Sequence, residues 1–466
     1  MRSKSSPSRS SRSTSKDPAT LIGQVLIPGF MALCMVLGGS SSGGQLANSA
    51  LQLIATLVLG FSVASFAKTP LSRPATLLVA IMLCWIGWAA LQLVPLPPSI
   101  WTLAPGRDLL AQRLTADGTA LPWLPLSVNP AGTLSHLAAL LPPLAIGAAI
   151  LSRPAAASTA LRWLIPAIAL VSLLLGVAQL IGGSTSPLYF YTPTNQDLPV
   201  GLMANANHQA TLMLCAIPFV ASLAGSEKST GSRGHGRELL FAAMAAMFLM
   251  GVLVCQSYAA YVLALPVTIA SWAIARPRSL GPARYIGTVI ALVSIAALAA
   301  VVMFGPTTIV DPMFAQNQLS RPSMYRVTAN AIVHFWPLGS GPGSFVPVFK
   351  LFEDPGKVSN FFVNHSHSDY IEFVLEGGVI GMLVLACLGV WWLRRAATIW
   401  FARSPSRIDR AAVVATAAIL AHSMVDYPAR TSAIAAILAA GFALMAPRQE
   451  VKVEEVSAGG RHLRAE

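Results

Sequence analysis

The chain has 466 residues, of which 55% are apolar and only 11% charged, and its mean hydropathy is +0.64. Soluble proteins carry roughly 25% charged residues, so this composition excludes a series of soluble globular domains. It predicts an all-α protein that crosses a membrane many times. The formal net charge of +13 would also suit nucleic-acid binding. The positions of the charged residues must therefore decide whether the charge reflects a nucleic-acid partner or membrane topology.

Apolar runs long enough to cross a hydrocarbon core of ~30 Å predict about twelve transmembrane helices. They lie near residues 21–39, 50–67, 75–95, 134–152, 160–182, 207–225, 239–255, 259–275, 285–304, 372–393, 411–427 and 430–447. The polar segments 1–19 and 448–466 are predicted to be cytoplasmic tails, the first of them disordered.

Lys and Arg are unevenly distributed between these spans. With a cytoplasmic N-terminus, 24 of the 31 Lys and Arg residues fall in cytoplasmic segments and 7 in outer ones. This asymmetry follows the positive-inside rule and explains the net charge without a nucleic-acid partner. It predicts that both termini are cytoplasmic. It also predicts two long outer loops, an interfacial loop at 96–133 and a larger folded loop at 305–371.

Six of the eight histidines lie at or beyond the predicted outer face, which makes that face the candidate active side. They are His136, His208, His334, His365, His367 and His422.

The larger loop contains a predicted helix over residues 323–336. Arg326, Asn330 and His334 recur every four residues in it and share one face. The glycine-rich segment 339–345 follows. Its backbone N–H groups are suited to binding an anion. A plain turn after the helix would have the same composition and is the alternative interpretation.

The densest group of polar residues is NHSHSDY at 364–370. Its HxHxD pattern matches a binuclear metal motif of hydrolases, but this loop is too short to supply the further ligands. The alternative is a metal-free base, since a neutral imidazole with pKa near ~6.5 can accept a proton from a sugar hydroxyl. Arg321 and Arg326 would then hold a diphosphate leaving group by bidentate hydrogen bonds. A solvated loop surface is the third interpretation.

Polar side chains also occur near the outer ends of other spans, where they usually face a cavity or a partner. His422, Asp426 and Arg430 are four residues apart, and either an Asp426–Arg430 ion pair or a substrate contact is expected. Asn207 and His208 open the sixth span. We predict that these five residues line a substrate cavity.

Taken in this order, the motifs resemble those of the O-antigen ligase and polymerase family of bacterial inner-membrane glycosyltransferases. They are GLMANAN at 201–207, PLGSGPGSF at 337–345, HSHSDYIEFVLEGGVIG at 365–381 and HSMVDYP at 422–428. The resemblance covers roughly residues 200–445. We therefore divide the chain into a tail (1–19), N-terminal transmembrane helices (20–200), a family core (201–447) and a second tail (448–466).

The resemblance implies a transferase whose periplasmic loop covers a cavity. It would move a glycan from a polyprenyl diphosphate, such as undecaprenyl diphosphate, to a sugar hydroxyl, with inversion and without a metal or other cofactor. His367 would be the catalytic base with His365 beside it, and Arg321 and Arg326 would bind the diphosphate. The chain departs from the family at Tyr258, where an arginine is common, so one expected phosphate contact is missing.

The motifs leave several acceptors open: ligation to a lipid core, polymerisation of repeat units and transfer to a protein. We expect a role in lipopolysaccharide or exopolysaccharide biosynthesis, with lipid-linked or growing glycans as acceptors, membrane lipids around the protein and no nucleic acid. A small-anion transporter is disfavoured because no internal repeat is evident and the polar residues gather at one face instead of the midplane.

Overall fold

The computed structural model describes residues 18–41, 46–66, 70–195, 198–224, 232–275, 321–357, 363–402 and 406–446. These ranges are helical and contain no strand; Leu96 and Leu124 form one isolated antiparallel bridge. The predicted all-α fold is therefore confirmed.

Sixteen α-helices occur in these ranges. They are α1 (Pro18–Leu37), α2 (Leu46–Phe66), α3 (Arg73–Leu91), α4 (Pro98–Trp101), α5 (Asp108–Ala116), α6 (Pro130–Ala139), α7 (Leu141–Ser152), α8 (Pro154–Gly182), α9 (Ala206–Ala224), α10 (Ser232–Val254), α11 (Tyr258–Ala275), α12 (Arg321–Phe335), α13 (Phe345–Phe352), α14 (Asp369–Trp400), α15 (Arg407–His422) and α16 (Ser432–Met445).

Seven helical segments in the described part of the chain are long and apolar enough to cross a membrane. They are Leu46–Phe66, Arg73–Leu91, Pro130–Ser152, Ala157–Gly182, Gly236–Val254, Tyr258–Ala275 and Asp369–Trp400, and Val25–Leu37 and Ser432–Met445 are shorter apolar helices. This agrees with a polytopic membrane protein. The predicted span near 285–304 lies outside the described residues. The total of twelve spans, the sides of the termini and the side of the large loop remain predictions.

Two predicted spans have different bounds in the structure. The span predicted at 411–427 is helix α15, which ends earlier, at His422, and the next helix begins only at Ser432. A turn at 423–427 and a short 3₁₀ helix, Pro428–Arg430, lie between them. Pro428 excludes a continuous α-helix through residues 424–428, because it has no N–H group to donate and its ring clashes with the carbonyl four residues earlier.

Helix α9 lies at the centre of the described bundle. Nearly all of its residues are buried, and it packs against α8, α10, α11 and α15. A helix that is surrounded on every side must be apolar all round. Apart from Ser222 near its end, the buried polar residues of α9 are His208, Gln209 and Thr211 at its start, so the start of the helix brings polar groups into the interior.

Helix α14 is interrupted at Gly378, where φ is 60° and ψ is −144°. The glycine-rich loop 337–345 crosses the helix here, and Val379 N–H donates to the carbonyl of Pro337 at 2.9 Å. A Cβ at Gly378 would overlap that same carbonyl oxygen. Glycine is therefore required both for the positive φ and for the close approach of the loop.

The predicted loop helix is confirmed as α12. Its buried residues Met324, Ala331 and Phe335 pack with Phe345 and Leu375 in a hydrophobic cluster separate from the main core. This packing fixes α12 against α13 and the start of α14.

The interfacial loop contacts the same helix. The guanidinium of Arg107 lies 5.3 Å from the ring centre of Phe335 and donates to the carbonyl oxygens of Leu126 and Pro105. Burial lowers the pKa of Arg107 to about 10. The segment at 96–133 and α12, both predicted to lie on the outer side, therefore pack against each other in the described structure.

Candidate functional site

Residues 364–368, which we call the histidine turn, lead into α14. Ser366 N–H donates to Glu372 Oε2 at 2.9 Å, and Ser366 Oγ donates to the carbonyl of Ser368 at 2.8 Å. The Ser368 side chain caps α14 by accepting from Ile371 N–H, as serine commonly does at a helix start. The turn is therefore held by its own serines and by the first turns of the helix it precedes.

The two predicted catalytic histidines have different carboxylate partners. His365 Nδ1 lies 2.9 Å from Glu372 Oε1, and His367 Nδ1 lies 3.3 Å from Asp426 Oδ1. The His367 side chain is 26% exposed, whereas the Asp426 side chain is fully buried. His367 is thus the more accessible imidazole, with a buried carboxylate behind it.

Residues 423–427, which we call the aspartate turn, carry Asp426 and are attached to the histidine turn by Asp369. The Asp369 N–H group donates to the carbonyls of Ser423 at 3.0 Å and Asp426 at 3.2 Å. Ser423 Oγ donates to Asp369 Oδ2 at 2.7 Å. The first residue of α14 therefore fixes the turn that supplies the partner of His367.

Tyr427 lies between three imidazole rings. Its ring centre is 4.5 Å from that of His365, 5.1 Å from that of His367 and 5.1 Å from that of His208. Only 1% of Tyr427 is exposed, and its hydroxyl donates to Asn364 Oδ1 at 3.4 Å. One aromatic ring therefore brings together histidines that are far apart in sequence.

Two of the residues predicted to line a cavity, His208 and His422, lie with the predicted base His367 around the buried Asp426 carboxylate. Asp426 interacts electrostatically with His208, His367 and His422. His422 Nδ1 lies 2.8 Å from Thr211 Oγ1, while neither nitrogen of His208 has a hydrogen-bond partner in the described part of the chain. In the same part of the chain neither oxygen of Asp426 has a hydrogen-bond partner, and nor has His367 Nδ1, so the 3.3 Å between Nδ1 and Oδ1 is an ion-pair contact.

Asn207 is held in place through its backbone. Its N–H group donates to Asn205 Oδ1 at 2.8 Å, and its carbonyl accepts from Thr211 Oγ1 at 2.9 Å. Asn207 is half-buried and directly precedes His208 at the start of α9.

Arg430 does not pair with Asp426, so the predicted ion pair was wrong. Its guanidinium lies 3.4 Å from each of three carboxylates, those of Asp369, Glu372 and Glu376. These acids are three and four residues apart along α14, which places them on one face of the helix. The 3₁₀ helix brings Arg430 to that face, whereas Asp426 lies in the preceding turn and is close to the histidines.

The glycine-rich loop does not present its amides to an external anion at the positions that the structure describes. Gly343 N–H donates to Glu376 Oε1 at 2.8 Å, Gly341 N–H to the Glu376 carbonyl at 3.0 Å and Ser340 N–H to the Leu375 carbonyl at 3.0 Å. The loop binds an anion, but that anion is the carboxylate of Glu376.

The two predicted diphosphate-binding arginines lie on different sides of α12. Arg321 is half-buried and interacts electrostatically with Tyr325 and His422. Arg326 is exposed, and five positions correspond to roughly 140° around a helix of 3.6 residues per turn. Only Arg321 is therefore directed toward the histidines.

Tyr258, which occupies the position of a common family arginine, begins α11. It is 57% exposed, and its ring contacts Tyr261 at 6.0 Å. In the described structure, none of the contacts of Tyr258 involves the histidine turn.

Two tyrosines and three acids join this site without having been predicted as site residues. Tyr325 and Tyr427 contact the histidine turn, and Asp369, Glu372 and Glu376 surround Arg430. The acids left a signal in the sequence, because carboxylates at positions i, i+3 and i+7 of a membrane helix need a common cation. The tyrosines left no comparable pattern.

Among the described residues, no group of three or more His, Cys, Asp or Glu side chains has the arrangement of a metal site. The acids and imidazoles instead form pairs with one another or with Arg430. Metal-free chemistry remains a prediction.

Residues 240–386 match the family model described as O-Antigen ligase, which confirms the resemblance inferred from the motifs. The match includes Arg321, Arg326, His365 and His367 and ends before His422. No curated protein matches the chain.

Proposed function

We propose that this chain, which residues 240–386 assign to the O-antigen ligase family, is a membrane glycosyltransferase that moves a glycan from a polyprenyl-diphosphate carrier to a sugar hydroxyl. The family supports a ligase or polymerase type of function. The carrier, the acceptor and the roles of individual residues are our proposal.

The pairing of His367 with Asp426 is the observation that carries this proposal. An imidazole that is 26% exposed, with a fully buried carboxylate 3.3 Å from Nδ1, resembles a base and its orienting group. In our proposal the ring carries its proton on Nδ1, on the side of Asp426, which leaves Nε2 unprotonated and able to accept a proton. Asp426 would also stabilise the imidazolium that forms.

The reaction follows from this assignment. His367 Nε2 takes the proton of the acceptor hydroxyl, whose oxygen forms a new bond to the anomeric carbon of the donor glycan. The bond from that carbon to the diphosphate oxygen breaks, and its electron pair leaves with the diphosphate. Attack from the side opposite the leaving group inverts the configuration.

Arg321 is our candidate for the diphosphate ligand. It lies on the face of α12 that is directed at the site, and a planar guanidinium suits bidentate hydrogen bonding to phosphate oxygens. Arg326 is exposed and would contact only a part of the donor that extends beyond the site. Asn207, His208 and His422 are proposed to line the cavity.

We assign Arg430 a structural role instead of a substrate contact. Its donors already face three carboxylates, and one of these, Glu372, holds His365. Through Glu372, this charge cluster would hold the histidine turn in place, and it would not contact the glycan.

The active face is proposed to be periplasmic, in the bacterial inner membrane, as the distribution of Lys and Arg predicts. The periplasm has no pool of nucleotide sugars, which is consistent with a lipid-linked donor.

The decisive experiment uses a strain from which the gene has been deleted, complemented with wild-type or His367→Ala protein. We expect the variant to insert normally and to lose surface glycan, since general-base catalysis contributes typically 10²–10⁴-fold. His365→Ala should retain more activity. Normal glycan in the His367→Ala strain would contradict the proposal, and inactivation of purified enzyme by EDTA with recovery on zinc would favour metal chemistry.

The glycan of the same deletion strain separates the acceptors. Loss of all glycan from the lipid core, with long lipid-linked chains accumulating, indicates a ligase. Single repeat units remaining on the carrier or the core indicate a polymerase.

A further inference from the structure

His367 has an unusual backbone conformation for a residue with a side chain. Its φ is 55°, and Gln256 is the one other non-glycine residue with a positive φ in the described part of the chain. Residues other than glycine rarely adopt this region, and they remain there only where surrounding contacts enforce it.

Most of the contacts that hold the histidine turn are local. They involve Ser366, Ser368 and the first turns of α14. The His367 carbonyl has a different partner: it accepts a hydrogen bond from the Tyr325 hydroxyl at 3.0 Å. This bond joins residues that are 42 positions apart and connects the histidine turn directly to α12.

Tyr325 is well placed to hold that carbonyl. It follows Arg321 by one helical turn and therefore shares its face of α12. Its neighbours Met324 and Thr328 are buried, which fixes the helix against α13 and α14. Burial raises the pKa of Tyr325 to about 12, although the charge of Arg321 acts in the opposite direction. The hydroxyl therefore keeps its proton at neutral pH and remains a donor.

We propose that Tyr325 is a positioning residue, whose hydroxyl bond to the His367 carbonyl sets the orientation of the His367 imidazole relative to Arg321. This inference rests on the proposed function, because it takes His367 as the base and Arg321 as the diphosphate ligand. Tyr325 would thereby keep the proton-accepting group and the leaving-group ligand in one fixed arrangement.

Tyr325→Phe tests this inference, since it removes only the hydroxyl. The purified variant is assayed with polyprenyl-diphosphate-linked glycan isolated from membranes of the deletion strain, and with rough lipopolysaccharide from that strain as acceptor. We expect kcat to fall about tenfold, the equivalent of one hydrogen bond, while KM for the donor changes less than about twofold. Tyr191→Phe is the matched control: its hydroxyl also donates to a backbone carbonyl, that of Leu37 at 2.7 Å, but far from the histidine turn in sequence. It should retain wild-type kcat.

The same substitution in the His367→Ala background separates positioning from a general effect on folding. If Tyr325 acts through the imidazole, adding Tyr325→Phe to His367→Ala should not reduce the residual rate further. A further tenfold loss in that background would contradict the inference.

Three other results would overturn it. Wild-type kcat in Tyr325→Phe, with His367→Ala inactive, would remove the positioning role and leave the proposed function intact. A raised KM with unchanged kcat would mean that Tyr325 binds the donor itself. An active His367→Ala enzyme would instead overturn the proposed function together with this inference.

Discussion

The Asp426 carboxylate and the Arg430 guanidinium are four residues apart but belong to two separate charge clusters. Arg430 contacts the three acids of α14, while Asp426 lies 3.3 Å from His367 and interacts with His208 and His422. In the described structure Arg430 does not contact Asp426, and the charge of Asp426 acts on the three histidines and on the neighbouring Tyr325 and Tyr427. Substitutions of Asp426 and of Arg430 therefore test the two clusters separately.

Asp426→Asn should preserve the shape of the aspartate turn but remove the charge that supports His367. We expect a loss of transfer activity of at least about tenfold, smaller than that of His367→Ala, because the amide can still orient the ring but cannot stabilise an imidazolium. Initial rates of purified protein measure this effect. An unchanged rate would exclude Asp426 as the partner of the base.

Arg430→Met should destabilise the protein strongly. Breaking a buried ion pair by removing one partner costs about 3–5 kcal/mol, and here three carboxylates lose their cation. Thermal unfolding in detergent measures the loss. Glu376→Gln is the milder comparison, since its amide oxygen can still accept from Gly343 and one fewer carboxylate then faces Arg430. Equal melting temperatures for Arg430→Met and wild type would show that the cluster contributes little.

Arg321 and Arg326 should respond differently to replacement by lysine. Lysine keeps the charge but loses the planar pair of donors, and hydrogen bonds to charged groups are worth about 1.5–3 kcal/mol. We expect Arg321→Lys to lower kcat/KM for the lipid-linked donor at least tenfold, and Arg326→Lys to lower it less. The reverse order would move the diphosphate to the exposed face of α12.

Gly378→Ala should destabilise the fold, because φ 60° with ψ −144° is a region essentially restricted to glycine, where another residue costs about 1–3 kcal/mol, and because its Cβ would overlap the Pro337 carbonyl. Gly389→Ala in the same helix is the matched control, since a Cβ there meets no atom within 4 Å. It should be neutral or stabilising by up to ~1 kcal/mol. Chemical denaturation of both variants would compare them, and equal stability would contradict the requirement for glycine at 378.

A topology test checks the predicted side of the large loop. Alkaline phosphatase fused after Lys350 should be active and a cytoplasmic reporter at that position silent. A fusion after Phe401, in a predicted cytoplasmic loop, should give the opposite pattern. Reversal of both results would place the candidate site in the cytoplasm and contradict the use of a periplasmic donor.

Much of the fold could be predicted from the sequence, because apolar runs and a helical repeat are local properties. The loop helix was predicted at 323–336 and observed as Arg321–Phe335. Its faces were predicted less well: Arg326 and Arg321 were assigned the same role, although their angular separation already excludes a shared face.

The partners of the site residues were not predictable in the same way. Asp426 and Arg430 have the spacing of a helical ion pair, but α15 already ends at His422, so Asp426 lies in the turn that follows and Arg430 in the 3₁₀ helix after it. Tyr427 contacts three histidines because two distant turns meet at it. Contacts of this kind depend on tertiary packing, which produces no periodic pattern in a single sequence.

The interruption of α14 also determines where its three acidic side chains lie relative to the hydrocarbon core. After Gly378 the helix continues for about 22 residues, which at 1.5 Å per residue is roughly 33 Å and suffices to cross a hydrocarbon core of ~30 Å. The segment with Asp369, Glu372 and Glu376 need not enter lipid at all. Beyond the kink, one helix can thus pass from a polar protein environment into a hydrocarbon one, and the carboxylates avoid the solvation penalty that acyl chains would impose.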